Sequence, residues 1–165
     1  RKNKRITIKG AKMKEETKKI NNKYEGLKLK NQLCFPIYAV SNKIVRTYKP
    51  FLEKLDLTYT QYITMMVLWE KKQVNEKTLG DCLFLKSNTL APLLTKLEQK
   101  GYISKEKSNE DGRHLIISIT KKGEELKERA VDVPMLMAKE LKLSPDKAEM
   151  LYKILYELLE ENSNE

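Results

Sequence analysis

Apolar positions along the chain recur with two different periods, and the change of period marks its organisation. From about Asn31 to Phe51 the residues Leu33, Ile37, Val40, Ile44, Val45 and Tyr48 fall at helical spacing, with Pro36 near one end and Pro50 near the other. This predicts one long first helix. The run LTYTQYITMMVLWEK opens with Thr58 and Gln61 at the spacing of a reciprocal N-terminal cap and sets Tyr62, Ile63, Met66 and Val67 on one face, which predicts a second helix. VNEKTLGDCLFL predicts a short third helix capped by Asn75. SNTLAPLLTKLEQKGY predicts a fourth, with Leu90, Leu93, Leu94 and Leu97 on one stripe and Gly101 as its stop. The period then drops to two, because Leu115, Ile117 and Ile119 alternate after an Asp111-Gly112 turn, and a β-hairpin is expected. Two more helices close the chain. One runs from about Thr120 to Leu141, interrupted by Pro134; the other starts at Ser144-Pro145 and carries Ala148, Leu151, Ile154, Leu155, Leu158 and Leu159 on its apolar side.

The expected class is therefore mainly α with a small β-hairpin, an α+β arrangement. A short helix, a tight turn around Lys86-Ser87, a second helix and a hairpin make a winged helix-turn-helix. A helix held at its back by leucines can push its leading end into a major groove while the hairpin reaches the neighbouring minor groove. Asn88 and Thr89 are short hydrogen-bonding side chains at that end. Ser87, Thr95, Lys96 and Lys100 can meet phosphates, and Arg113 stands at the hairpin tip among Lys105, Lys107, Lys121 and Lys122. The plainer alternative is a small α+β domain with a solvated basic face.

Charge adds to this picture mainly through its distribution. The 165 residues carry a net charge of +10, and residues 1–12 hold six Lys or Arg and no acid. That leader is expected to be vector-derived, with Met13 a natural start, or else an arm that touches phosphate. Residues 13–165 are expected to form a single domain, in which about 27–57 and 121–161 are dimerisation helices and about 58–120 the winged helix-turn-helix. No stretch approaches the ~20 apolar residues of a spanning helix, so a cytoplasmic protein without membrane attachment is expected. The two cysteines, Cys34 and Cys82, lack the paired spacing of a zinc site or a disulfide framework, and no cofactor is expected.

The segments NQLCFPIYAVSNKIVRTYKPFLEKLDLTYTQYITMMVLWE, LGDCLFLKSNTLAPLLTKLEQKGYI and SNEDGRHLIISIT resemble the MarR family of dimeric repressors, specifically its organic hydroperoxide resistance branch, from about Gln32 to Glu160. The resemblance implies a homodimer on a pseudo-palindromic double-stranded operator. It implies a peroxide-sensing cysteine at Cys34, thiolate-binding tyrosines supplied by the partner subunit at Tyr48 and Tyr59, and a minor-groove arginine at Arg113 organised by Asp111. Lys86-Ser87-Asn88-Thr89-Leu90-Ala91 stands where relatives usually read Asp-Ser-Gly-Thr-Leu-Thr, so operator preference does not carry over. MLMAKELKLS has no second, resolving cysteine, and the chain resembles the one-cysteine type.

Physical spacing bears on the same residues. Taken alone, Cys34 in its apolar run reads as packing, since free cysteine behaves as a small hydrophobe. Tyr48 lies fourteen positions on, about 21 Å along a continuous helix but on nearly the same face, so the two side chains cannot meet within one chain. An antiparallel second copy across a two-fold axis can bring them together. An ordinary thiol near pKa 8.5 is only a few per cent thiolate at neutral pH, and two phenol donors, at about 1.5–3 kcal/mol each, can outweigh the desolvation that opposes ionisation. The tyrosines read equally well as ordinary packing residues. Cys82, beside Leu79 and Leu83, reads as core; His114 lacks companion metal ligands; Met65, Met66, Met135 and Met137 read as core or dimer filler.

Three functions compete. The first is a DNA-binding repressor released when Cys34 is oxidised by organic hydroperoxide, with a low-molecular-weight thiol completing the switch. The second is a MarR-type repressor released by a small aromatic or phenolic ligand, with Cys34 structural. The third, a thiol peroxidase, lacks a resolving partner and a nearby histidine or arginine, and the chain is expected not to be an enzyme.

Overall fold

The computed structural model describes residues 23–107 and 115–161. Within it the chain divides into two compact units between Ile44 and Val45.

The described part of the first unit holds two single 3-10 turns, Glu25–Leu27 and Leu29–Asn31, and the opening half of helix α1, Cys34–Glu53. The turns are tied by the Asn31 amide, which donates to the Glu25 carbonyl at 2.8 Å. The second turn ends at Asn31, where the helix was expected to begin, and α1 starts three residues later than its periodicity suggests. Pro36 then sits in the first helical turn, where its missing N–H would have had no intrahelical acceptor, and it costs no hydrogen bond. Leu33, Phe35, Ile37, Tyr38 and Val40 are all exposed.

The second unit begins with the rest of α1, which contains Pro50 and buries Leu52. Helix α2 (Tyr59–Lys71) has the full reciprocal cap expected: Gln61 N–H donates to Thr58 Oγ1 at 3.3 Å, and Thr58 N–H donates to Gln61 Oε1 at 3.1 Å. Its buried side chains are Gln61, Tyr62, Thr64, Met65, Leu68 and Trp69, rather than the Tyr62, Ile63, Met66 and Val67 face, and Met66 is exposed. The reason is position. α2 touches the helices at Glu76–Leu83, Ser87–Gln99 and Lys121–Ala130 and the strands at Gln73–Asn75 and Leu115–Ile119, so more than one of its faces is covered.

Strand β1 (Gln73–Asn75) was not expected. It pairs with β3 (Leu115–Ile119), which also pairs with β2 (Ile103–Lys107), so the hairpin belongs to an antiparallel three-stranded sheet of order β1-β3-β2. Ile117 lies at its centre, opposite Val74 on one side and Lys105 on the other. Asn75 caps α3 (Glu76–Leu83) by accepting from Thr78 N–H at 2.7 Å, as its position suggests. The turn after α3 passes through Phe84 in the left-handed region, and Leu85 N–H returns to the Gly80 carbonyl at 2.9 Å; a Cβ at Gly80 would stand 2.9 Å from the Leu85 carbonyl oxygen. Helix α4 (Ser87–Gln99) buries all four of its stripe leucines and is followed by Gly101 at φ +74°.

The long helix expected after the wing is two. α5 covers Lys121–Ala130 and α6 covers Val133–Leu141, with Pro134 in the first turn of the second, a place that proline favours because its φ is already helical. Thr120 caps α5 by accepting from Gly123 N–H at 3.1 Å and donates to the Gly101 carbonyl at 2.6 Å, while the Trp69 indole N–H donates to the Gly123 carbonyl at 2.8 Å. Met65 and Met137 are core; Met66 and Met135 are exposed. Cys82 is exposed, contrary to its reading as core: the eight-residue α3 buries Leu79 and Gly80 and leaves Cys82 on the rim of a narrow stripe. Helix α7 (Pro145–Glu161) leaves Leu151, Ile154, Leu155, Leu158 and Leu159 between 38% and 48% exposed. Among the described residues no helix is long and apolar enough to cross a membrane.

Candidate functional site

Two groups of side chains in the second unit, and one cysteine in the first, are the candidate functional residues.

The first group is the leading end of α4. Lys86 occupies the N-cap without a side-chain cap, and its carbonyl accepts from Thr89 and Leu90 at 2.9 and 3.0 Å. Ser87, Asn88 and Thr89 are exposed, with Thr89 Oγ1 donating to Asn88 Oδ1 at 3.4 Å. The buried leucines thus turn a row of short polar side chains outward at the positive end of the helix, where anions are favoured. Thr95 and Lys96 are exposed farther along. Lys100, expected to meet phosphate, and Lys105 and Lys122, expected around the hairpin tip, have internal work. Lys100 Nζ hydrogen-bonds the Asp56 carbonyl and pairs with its carboxylate at 3.1 Å. Lys105 pairs with Glu98 at 2.8 Å and donates to Thr95 Oγ1 at 3.3 Å, fastening β2 to α4. Lys122 donates to the Lys100 carbonyl at 2.7 Å and lies 5.1 Å from the Tyr102 ring centre. Asp111, Arg113 and His114 lie outside the described residues.

The second group is aromatic. The Tyr48 and Tyr59 rings stand 4.9 Å apart between centres, Tyr48 and Tyr62 5.9 Å, and Tyr62 meets Trp69 edge-on at 6.1 Å. Tyr48 and Tyr59 are half-buried and Tyr62 is buried. Burial, followed by repulsion from the neighbouring Tyr59 and Tyr62 oxygens, pushes the Tyr48 phenol up to about 12. Burial also raises Tyr59, and burial with Tyr59 raises Tyr62. At neutral pH these phenols keep their protons and can donate. The sequence placed Tyr48 and Tyr59 in the candidate site but read Tyr62 only as part of a helix face and left Trp69 out, although Tyr59 and Tyr62 stand one helical turn apart on α2. A raised phenol favours the folded state fully below pH 10 and loses that contribution between pH 10 and about 12. Phenolate absorbance followed against pH should therefore show a late-titrating tyrosine that disappears in Tyr48→Phe; a parent titrating entirely near 10 would contradict this.

Cys34 is the first residue of α1 and is exposed, not packed as its apolar run alone suggests. Beside Tyr59 a cleft of about 460 Å³ opens between the later part of α1, the segment leading into α2, and Lys100.

Residues 46–130 match the family described as transcriptional regulator SarA/Rot. The chain is 43% identical over 141 residues to the organic hydroperoxide resistance transcriptional regulator of Bacillus subtilis, covering 86% of this chain and 96% of that protein. It belongs to the MarR family of transcriptional regulators, in the organic hydroperoxide resistance branch. This MarR-family chain is also 40% identical to the HTH-type transcriptional regulator SarZ of Staphylococcus saprophyticus, over 73% of its own length and 82% of SarZ. In structure it is similar to AbfR of Staphylococcus epidermidis, with a TM-score of 0.70, 32% identity and coverage of 87% of this chain and 99% of AbfR. AbfR has been solved reduced on DNA, overoxidised on DNA, and with a disulfide formed. The MarR-family chain is thus a transcriptional regulator with a winged helix.

Proposed function

We propose that this MarR-family chain is a homodimeric repressor that binds a pseudo-palindromic DNA operator and releases it when Cys34 is oxidised by organic hydroperoxide. The observation that carries the reading is the close, tilted and half-buried ring pair of Tyr48 and Tyr59, both held in the donor form, at the two positions the resemblance assigns to thiolate binding. Cys34 opens α1 fourteen residues before Tyr48, so the phenols would serve Cys34 of the partner subunit, and α1 with α5 to α7 would form the subunit interface. The leucine-bearing face of α7 and the apolar side chains around Cys34 are open in the single chain, as an interface requires.

The chemistry has two steps. The Cys34 thiolate attacks a peroxide oxygen; the O–O bond breaks, an alcohol leaves, and sulfur becomes a sulfenic acid. A low-molecular-weight thiol then displaces that hydroxyl, forming an S–S bond and releasing water. The sulfenic acid is small, whereas the mixed disulfide is too bulky for a close-packed interface and would tilt the two α4 helices out of register with successive grooves. AbfR, solved on DNA while overoxidised, favours assigning release to the second step.

On DNA, Asn88 and Thr89 would read base edges and Ser87, Thr95 and Lys96 would meet phosphates; Lys100 would join them only by leaving Asp56. Asp111 and Arg113 keep the wing role the resemblance implies. Thr89→Val should relax operator preference by about 1–3 kcal/mol, and Arg113→Ala should weaken binding and flatten preference for A·T-rich flanks. Fluorescence anisotropy with operator and random duplexes checks this, and equal losses on both duplexes from both variants would contradict these roles. The function itself is tested by gel shift with cumene hydroperoxide, hydrogen peroxide and salicylate. Release by cumene hydroperoxide supports the redox reading; release by salicylate, unchanged in Cys34→Ser, installs the ligand-gated one.

A further inference from the structure

The cleft beside Tyr59 has an uneven balance of charge. Its floor is apolar, from Val45, Leu52, Leu57 and the Tyr59 ring, and its volume of about 460 Å³ falls within the range of small-molecule sites. Five charged side chains line it. Lys49 pairs with Glu53 at 3.7 Å and Lys100 with Asp56 at 3.1 Å, so four of them cancel in couples. The fifth is Arg46, which has no hydrogen bond or ion pair among the described residues. A guanidinium without an acid, lining the same apolar cleft as a phenol held in its donor form, is suited to a carboxylate, which it grips through two parallel N–H bonds.

We infer that this cleft selects the second reactant of the switch: it docks a carboxylate-bearing low-molecular-weight thiol, with Arg46 as the anchor of the carboxylate. The inference rests on the proposed function, in which Tyr59 attends Cys34 of the partner subunit. A thiol anchored at Arg46 would present its sulfur toward that sulfenic acid, where the S–S bond forms and water leaves. The hydroperoxide, by contrast, needs no charge and would enter along the apolar side chains around Cys34. Arg46 thus acts on the choice of thiol and not on the first oxidation.

The test oxidises the full-length protein with cumene hydroperoxide, then follows adduct mass at Cys34 with 3-mercaptopropionate and with 2-mercaptoethanol. Each thiol is compared across proteins, so its own ionisation cancels. Arg46→Gln should slow addition of 3-mercaptopropionate about tenfold, the effect of losing one charge-assisted hydrogen bond, and change 2-mercaptoethanol less than about twofold. Arg46→Lys should recover part of the rate, and sulfenic acid formation should be unchanged in both variants. The thiol-free analogue 3-(methylthio)propionate should slow addition in the parent and not in Arg46→Gln. Equal slowing of both thiols, or equal competition by the analogue in parent and variant, would overturn the inference. Sulfenic acid that no thiol attacks would remove this inference and the second step together, whereas no sulfenic acid at Cys34 would remove the sensor reading itself.

Discussion

Cys34→Ser protein should stay on its operator through hydroperoxide exposures that are expected to release the parent. The expected loss of response is complete, because a serine hydroxyl cannot take up the peroxide oxygen and has no sulfur on which a mixed disulfide can form. Cys82→Ser should respond as the parent does. Exposure does not separate the two thiols, since both are exposed in the single chain. Their places in the helices do. Cys34 is the first residue of α1, at the helix end that favours negative charge, whereas Cys82 is the penultimate residue of α3, at the end that disfavours it. Tyr48→Phe and Tyr59→Phe should lie between the extremes. In the proposed site each would remove one donor to the thiolate, worth about 1.5–3 kcal/mol, and each should slow oxidation by roughly tenfold or more without abolishing it. Operator anisotropy after addition of cumene hydroperoxide orders the five proteins; a Cys34→Ser protein that lets go with the parent refutes the sensor assignment.

Removal of α7 by truncation before Ser144 should eliminate both dimer and specific DNA binding. A helix of seventeen residues that leaves five leucine or isoleucine side chains more than a third exposed gains little stability from its own chain. A second copy is the natural cover, and proteins with a helix-turn-helix reach two successive half-sites only as dimers. Losing one half-site's contacts should weaken operator binding by about a thousandfold or more, toward the level of random DNA. Sedimentation gives the mass and gel shift the affinity, with the circular dichroism of the remaining helices and the buried Trp69 reporting that the winged helix still folds. A truncated monomer with parental operator affinity would contradict the account.

What was legible in the sequence was local. The Thr58–Gln61 cap, the Asn75 cap and the leucines of α4 were visible because each depends on residues within one or two turns, and the structure realises all three. Strand β1 was not visible: three residues with one apolar member show no alternation, and Gln73–Asn75 become a strand only because β3, more than forty residues on, offers them an edge. Pro134 misled for a related reason, since proline reads as a break inside a periodic run yet also begins helices, and the Val131–Asp132 gap decides between them. Charge was the least legible quantity. Counting lysines cannot distinguish a cation offered to solvent from one spent on a distant acid, and Lys100 meets Asp56 across 44 positions. Tyr48 and Tyr59 were named by resemblance, but the cluster with Tyr62 and Trp69, which supplies the burial behind the raised phenols, appears only when α1 packs on α2.

The central claim is that a covalent change at Cys34 releases DNA, and one time course tests it most directly. Protein bound to a fluorescent operator is treated with cumene hydroperoxide, with and without a low-molecular-weight thiol, while anisotropy reports release and mass spectrometry of quenched samples reports Cys34. The account predicts that sulfenic acid appears first with DNA still bound, and that release follows the mixed disulfide at Cys34, strongly accelerated by the thiol. Release that runs ahead of any modification at Cys34, or that proceeds while Cys34 remains a free thiol, would contradict it.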